Sequence, residues 1–312
     1  MNARILTTAT LFTAFAGVLT TKAADSQLLS LVMPDAKVLA GVNVDQAKAS
    51  PFGLYVLTQI QSTNSDLQKL ITLTGFDPTR DVHEVLAATN ATPGSKSPVG
   101  LVLARGNFNI SMIVSFATSN GAVTETYGGA TIIEDPKKGA GIAFLDPTLV
   151  VAGDLPSVKA AIDRPGSGQA LPTAVVGQVN QWSGVEDAWM VTTVSPAALI
   201  PGTVGGPTGG LFQQVLQASG GVKFGNSIVA TIAAQADNAA DATQMANALQ
   251  FLVNMAQMQA QTNPDLAALA KGFAASAQGT RVNITVSMPQ AQFQQLIQQH
   301  KSAVVPHVGV GK

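Results

Sequence analysis

The densest group of reactive side chains is Asp77-Pro78-Thr79-Arg80-Asp81-Val82-His83-Glu84. An imidazole among carboxylates is what general acid–base catalysis and metal ligation both require. Alternate side chains of an extended chain share a face, so a strand starting at Asp81 would set Asp81 and His83 side by side, as two metal ligands or as a base with its orienting carboxylate. A catalytic zinc takes three protein ligands, and the remaining histidines, His300 and His307, fall at the end of the chain. The plainer reading of Asp77, Arg80, Asp81, His83 and Glu84 is a turn whose aspartates cap backbone N–H groups and whose arginine pairs locally. It is the reading adopted here, with no catalytic residue, metal or cofactor assigned.

Other reactive groups are sparser. Glu134, Asp135 and Asp146 supply carboxylates of the kind a glycosidase pairs, but acids beside Pro136 and Pro147 are also ordinary hairpin-loop residues. The glycine-rich run from Gly202 to Gly210 has neither the GK[ST] ending nor the GxGxxG spacing of a phosphate cradle, and reads as a loop. Met245, Met255 and Met258 have the soft thioethers that bind Cu(I), yet methionine on an apolar helix face is usually core filler, which is the expectation here. No GxSxG elbow occurs. Trp182 and Trp189 are expected to pack between two halves of the chain, burying their large apolar rings.

The elements that must position these residues can be read in order. A strand read over Pro34–Asp45, ending at an acidic turn, precedes a helix capped at Ser50-Pro51, with Phe52, Val56 and Ile60 on one face. A second helix, Asp66 to Thr74, stops at Gly75. Strands follow near Glu84–Thr89 and Pro98–Ala104, around a polar loop from Asn90 to Ser97. Residues Asn107 to Gly121 fit strand or helix; a helix is preferred because Asn107 or Asn109 can cap it and Gly121 can end it. Four short strands, 122–127, 130–134, 141–145 and 148–152, are joined by tight turns and so pair antiparallel. Asp154 opens a helix expected to end by Arg164-Pro165.

After a Pro165–Gln169 linker the pattern starts again. Ala188 to Gly202 parallels Val38 to Phe52, and Ile284 to Ile297 parallels Leu149 to Ile162. Between them come a short helix from Leu211 to Ala218, a strand from Ser227 to Ala234, a long helix opened by Asp237, and another helix after Asn263-Pro264. In the long helix Met245, Leu249, Leu252, Met255 or Ala256, and Ala260 form the apolar face. The expected fold is therefore α+β, two diverged tandem halves, each an antiparallel sheet with helices packed on one face. Residues 24–164 form the first half, 165–185 a linker and connecting helix, 186–300 the second half, and 301–312 a flexible tail.

Composition sets the address and narrows the function. Arg4, an uncharged stretch from Ile5 to Thr21 and the small-x-small end Thr21-Lys22-Ala23 read as a secretory signal peptide, residues 1–23, cleaved near Ala23. An extracytoplasmic location, periplasmic or secreted, follows, with no stable membrane span left after cleavage. There is no cysteine, so neither disulfides nor a lipidated cysteine can occur. Removing Arg4 and Lys22 leaves 15 basic against 18 acidic residues, which argues against nucleic acid as a partner. Charged residues make up 11% of the chain against roughly a quarter in an average protein. A surface made polar by Gln, Asn, Ser and Thr repels its neighbours weakly, so the expected partners are an extracytoplasmic protein, an uncharged polymer or further copies of the chain.

The segments PDAKVLAGVNVDQAKASPFG, GFDPTRDVHEVLAAT, TETYGGATIIED and LVVAGDLPSVKAAI together resemble a loose family of exported bacterial proteins of uncharacterised function. The resemblance implies the two-half architecture and the helical form of Asn107–Gly121, and it brings no functional residues. The expected function is a non-catalytic binding or structural role outside the cytoplasm. The alternative is an extracytoplasmic hydrolase using scattered carboxylates or the Asp81/His83 pair.

Overall fold

The computed structural model describes residues 23–300 apart from 64, 93–98, 200–212 and 259–269. In chain order the elements are α1 (Ser26–Ser30), β1 (Val38–Asn43), α2 (Val44–Ala47), α3 (Pro51–Thr63), α4 (Ser65–Thr74), α5 (Pro78–Asp81), β2 (Val82–Thr89), β3 (Gly100–Gly106) and α6 (Ile110–Ser119). Then come β4 (Val123–Tyr127), β5 (Ala130–Asp135), β6 (Ala140–Asp146), β7 (Leu149–Asp154), α7 (Leu155–Ser167), α8 (Thr173–Ser183) and β8 (Ala188–Thr192). A 3₁₀ turn at Pro196–Ala198, β9 (Val215–Lys223), β10 (Ser227–Ala236), α9 (Ala239–Met258), β11 (Phe273–Gln278), β12 (Arg281–Pro289) and α10 (Gln290–His300) complete the set.

Local chemistry accounts for many of the boundaries. Ser50 Oγ accepts from Gly53 N–H at 2.9 Å and opens α3; Asn109 Oδ1 accepts from Met112 N–H and opens α6; Asp154 opens α7 through Ser157 N–H. Gly75 and Gly121 take positive φ where α4 and α6 end. The long helix is opened by Asn238, whose Oδ1 accepts from Asp241 N–H at 2.9 Å, one residue beyond the expected Asp237.

Among the described residues all strands join one antiparallel sheet of twelve, in the order β11-β12-β10-β9-β8-β1-β2-β3-β7-β6-β5-β4. The sequence leaves open whether the two halves share a sheet; β1 pairs with β8, Gly41 opposite Trp189, and the sheet is continuous. The expectation of helices on one face only is corrected. One face, carrying Leu39, Leu86, Leu103 and Val151, packs against Leu28 of α1, Val158 of α7, and Val179 and Trp182 of α8. The alternating residues Val85, Ala104 and Val150 face the other way, onto Phe108 and Ile113 of the α6 region. Ala234 and Val282 share that second face and are covered by Met245 and Ala246 of α9. A sheet of this width has two apolar faces, and each needs cover.

Of the helix expected at Leu211–Ala218, Leu211 and Phe212 lie outside the described residues, and from Val215 on the chain is the start of β9. Leu-Phe-Gln-Gln-Val-Leu fits either period, and pairing on both sides, with β8 and β10, decides it. α7 runs past Pro165 to Ser167 and ends at Gly168, φ +71°; its N-terminal cap and buried face outweigh the hydrogen bond that Pro165 cannot make. Met245 is buried, but Met255 is 36% and Met258 75% exposed, so these two are not core filler. The helix expected after Asn263-Pro264, the Gly202–Gly210 loop, most of the Asn90–Ser97 loop, the signal segment up to Lys22 and the tail from Lys301 lie outside the described residues.

Candidate functional site

The octapeptide folds as a capped turn running into β2. Asp77 is the N-cap of α5; its Oδ1 accepts from Thr79 N–H at 2.9 Å and Thr79 Oγ1 at 2.7 Å. Asp81 accepts from Asp77 N–H at 2.8 Å and takes a two-point bond from Arg80, Nε to Oδ1 and Nη2 to Oδ2, each 2.7 Å. Nη2 of Arg80 also donates to Gly75 O. The hydrogen bonds from Arg80 hold the Asp81 carboxyl below the usual carboxylate range. Asp81 ends α5, so it is not in the extended conformation that would align it with His83.

His83 has a different partner. Its Nδ1 lies 3.1 Å from Asp45 Oδ2, and its Nε2 lies 3.0 Å from Asn107 Nδ2. An amide NH₂ can only donate, so Nε2 accepts and the ring proton sits on Nδ1, donated to Asp45. Lys48 pairs with the other oxygen of Asp45 at 2.5 Å. Burial opposes the charge on Asp45, but the bonds from Lys48 and His83 outweigh it and pull the carboxyl down. Glu84, next along β2, points to the opposite face, where both its oxygens accept from Asp25 N–H at 3.2 Å. The five residues of the cluster thus divide among a helix cap, a local ion pair, an Asp–His–Asn chain and an internal anchor.

Arg80 and Asp81 also line a cleft of about 490 Å³ between the end of α4 and the start of α6. Phe76 and Phe108, with ring centroids 6.0 Å apart, form its apolar floor. Asn107, Asn109 and Thr148 supply polar atoms. Thr148 Oγ1 donates to Asp146 and accepts from Arg105, so its one donor is used within the fold. Asn107 uses its Nδ2 on His83, and Asn109 uses its Oδ1 to cap α6. Among the described residues nothing bonds Asn107 Oδ1, Asn109 Nδ2 or Arg80 Nη1, which leaves open amide acceptor and donor atoms in the cleft beside the outer edge of the guanidinium. The volume is within the range of small-molecule sites.

The other sequence candidates take structural places. Asp135 accepts from Lys137 N–H and Asp146 from Thr148 N–H within their turns. Trp182 and Trp189 are buried in the core along the β1–β8 seam. Among the described residues no group of three metal-ligating side chains occurs, and no helix is long and apolar enough to cross a membrane. The sequence reading missed Asp45, Asn107 and Asn109. Asp45 follows the strand that pairs antiparallel with β2, in the register Asn43 opposite Glu84, and only that register brings it to His83. It also missed Arg105, which joins Asp25 at 2.8 Å and Gln27 at 2.5 Å to fix the first helix.

No family model matches the chain, and no curated protein matches it. Among solved structures it is similar to crystal form III of TP0453, with a TM-score of 0.55 and 13% identity over 88% of this chain and 99% of that one. Crystal form I of TP0453 gives 0.54 and 13% over 89% and 99%. At that identity the likeness is one of fold, a mixed architecture with a large antiparallel sheet.

Proposed function

We propose that this is an exported, non-catalytic binding protein whose ligand is a small uncharged polar group, such as a sugar unit of a neutral polymer, held in the cleft beside Phe76 and Phe108. One observation carries the reading: the charge of Arg80 in the cleft is cancelled in place by Asp81, while Asn107 Oδ1 and Asn109 Nδ2 remain open. A cleft whose one ion pair is compensated in place, with open amide donor and acceptor atoms and an aromatic floor, suits a hydroxyl-rich ligand better than an ion. Calorimetric titration with a panel of neutral mono- and oligosaccharides tests it. Binding that weakens roughly tenfold in Asn109→Ala, the loss of one hydrogen bond, is the expected result. Absence of binding across the panel, or binding untouched by Asn109→Ala and Asn107→Ala together, overturns the reading.

Export is read from the charge and hydropathy pattern of residues 1–23. Ala23 is exposed, whereas Ala24 is buried and its N–H donates to Ser183 Oγ at 2.9 Å. Mass measurement of the protein recovered from its host is expected to give a chain beginning at Ala24. The duplication read from the sequence is supported by strand order. Outward from β1 it runs β1-β2-β3-β7-β6-β5-β4, and outward from β8 it runs β8-β9-β10-β12-β11. Each arm has a helix after its third strand, α6 or α9, and another after its last, α7 or α10. We infer that the arms descend from one ancestral unit, the first enlarged by the β4–β5 hairpin, and that the chain belongs with the exported proteins it resembles.

A hydrolase is the second reading, favoured by the Asp45–His83 bond, an orienting carboxylate on an imidazole. In it His83 takes a proton only after Asn107 leaves Nε2. His83→Ala abolishing a measured hydrolysis supports it, and unchanged turnover removes it.

A further inference from the structure

The two outermost strands of the sheet, β4 and β11, end it in different ways. An unpaired edge is a template for another strand unless charge, proline or a bulge blocks it. The centre of β4 is Glu125, ion-paired with Lys159 at 2.6 Å, so this edge carries charge. The β11 sequence, Phe273-Ala-Ala-Ser-Ala-Gln278, has no charge and no proline.

The hydrogen bonding of β11 shows which of its groups face outward. Ser287 N–H donates to Gly272 O at 2.8 Å, which makes residues 272 and 287 a hydrogen-bonded pair. In the β11–β12 register, Ala274, Ser276 and Gln278 then turn their backbone groups to β12. Phe273, Ala275 and Ala277 turn theirs to the edge, and among the described residues no hydrogen bond reaches them. The side chains of these three are half-buried, and Ala277 packs into the core covered by α9; those of Ala274, Ser276 and Gln278 are exposed on the opposite face.

We propose that β11 is a self-association edge, through which two copies pair antiparallel about a two-fold axis at Ala275. That axis, normal to the sheet, keeps each face continuous with its counterpart. It sets Phe273 opposite Ala277 of the second copy and Ala275 opposite itself, and the outward groups form about six hydrogen bonds. Each large ring meets a small side chain. Lys271, the nearest cation, faces Gly279 of the second copy, so no like charges oppose. The uncharged edge thus admits a second copy of this chain, whereas β4 carries an ion-paired acid at its centre.

On the exposed face the same register places Ala274 opposite Ser276 of the second copy, in a non-hydrogen-bonded pair with a Cα separation of about 4.5 Å, within disulfide range. Sedimentation of the native chain at tens of micromolar is expected to give a dimer. Because the chain has no cysteine of its own, oxidised Ala274→Cys/Ser276→Cys is expected to run as a covalent dimer. Ala274→Lys/Ser276→Lys, which opposes two lysines on each side of the axis, is expected to be monomeric, whereas Ala274→Lys/Ser276→Glu restores the dimer. Ala275→Pro removes only an outward N–H and is expected to be monomeric with unchanged circular dichroism; should it misfold, the exposed lysine pair decides alone. A monomeric native chain, a dimer that survives the lysine pair, or a monomer that takes an extended peptide of another protein at β11 overturns the proposal.

Discussion

The indole of Trp189 on β8 occupies the space in which a Cβ on Gly41 of β1 would stand. The two residues are directly opposite in the ladder that joins the arms, and the ring is buried among Leu39, Leu86 and Val191. Glycine at 41 lets the largest side chain of the seam lie flat across the neighbouring strand.

Gly41→Ala is therefore expected to destabilise the whole fold, since the arms share one sheet. Forcing a methyl into a filled core costs about 1–3 kcal/mol. A single urea transition shifted to lower midpoint with unchanged slope is the predicted result. Two separate transitions would show that the seam does not couple the arms.

Much of this was legible in the sequence. The hairpins of the first arm follow their Gly128-Gly129 and Asp146-Pro147 turns, and α6 follows Asn109 and Gly121, because caps and turns are local chemistry. The seam was not legible, since nothing local to Val38–Asn43 says that its second neighbour is Ala188–Thr192. β9 was misread for the same reason: its conformation is imposed by two flanking strands. In the candidate site, the caps made by Asp77 and the Arg80–Asp81 pair lie within five residues and could be read directly. Asp45 and Asn107 are 38 and 24 positions from His83 and come to it only through strand register.

The first helix is held by a partly buried ionic contact. Arg105 Nε meets Asp25 Oδ2 at 2.8 Å, and the other Asp25 oxygen accepts from Gln27 N–H. Burial opposes the charge on Asp25, but Arg105 and the capping N–H groups outweigh it and lower its pKa. Its contribution to stability is thus full above the unfolded value near 3.9 and is lost as pH falls through the lower folded value. Asp25→Asn is expected to cost about 1.5–3 kcal/mol at neutral pH, as for a bond to a charged group. The gap from wild type should close in acid, and a pH-independent gap in denaturant melts would rule out the ionic origin.

Glu186 shows the opposite behaviour. It is buried against Gly221, its Oε2 has no partner among the described residues, and burial raises its pKa although Lys223 pulls it down. An acid whose folded pKa is raised is bound to its proton more tightly in the fold. Its ionisation therefore costs no stability at pH below the unfolded value and costs progressively more as pH rises toward the folded one. Glu186→Gln is expected to raise the melting temperature by about 2–4 °C at neutral pH, equivalent to roughly 1 kcal/mol in a chain of this size, and by nothing in acid. A lower melting temperature at neutral pH would mean that the carboxylate has a partner after all.

The Asp45–His83–Asn107 chain separates a structural role from a chemical one. With Asn107 Nδ2 donating to Nε2, the neutral ring carries its proton on Nδ1, and nitrogen NMR of His83 in alkaline solution is expected to show that tautomer. Asp45 and His83 are both substantially exposed, so Asp45→Asn should cost less than about 1 kcal/mol of stability. Asn107→Ala uncovers Nε2 and should speed its acylation by diethyl pyrocarbonate several-fold while leaving the Nδ1 proton in place, because Asp45 still accepts it. An imidazole that reacts equally fast before and after the substitution is not covered by Asn107. Its Nε2 would then be open to a substrate, and the hydrolase reading would gain over the binding one.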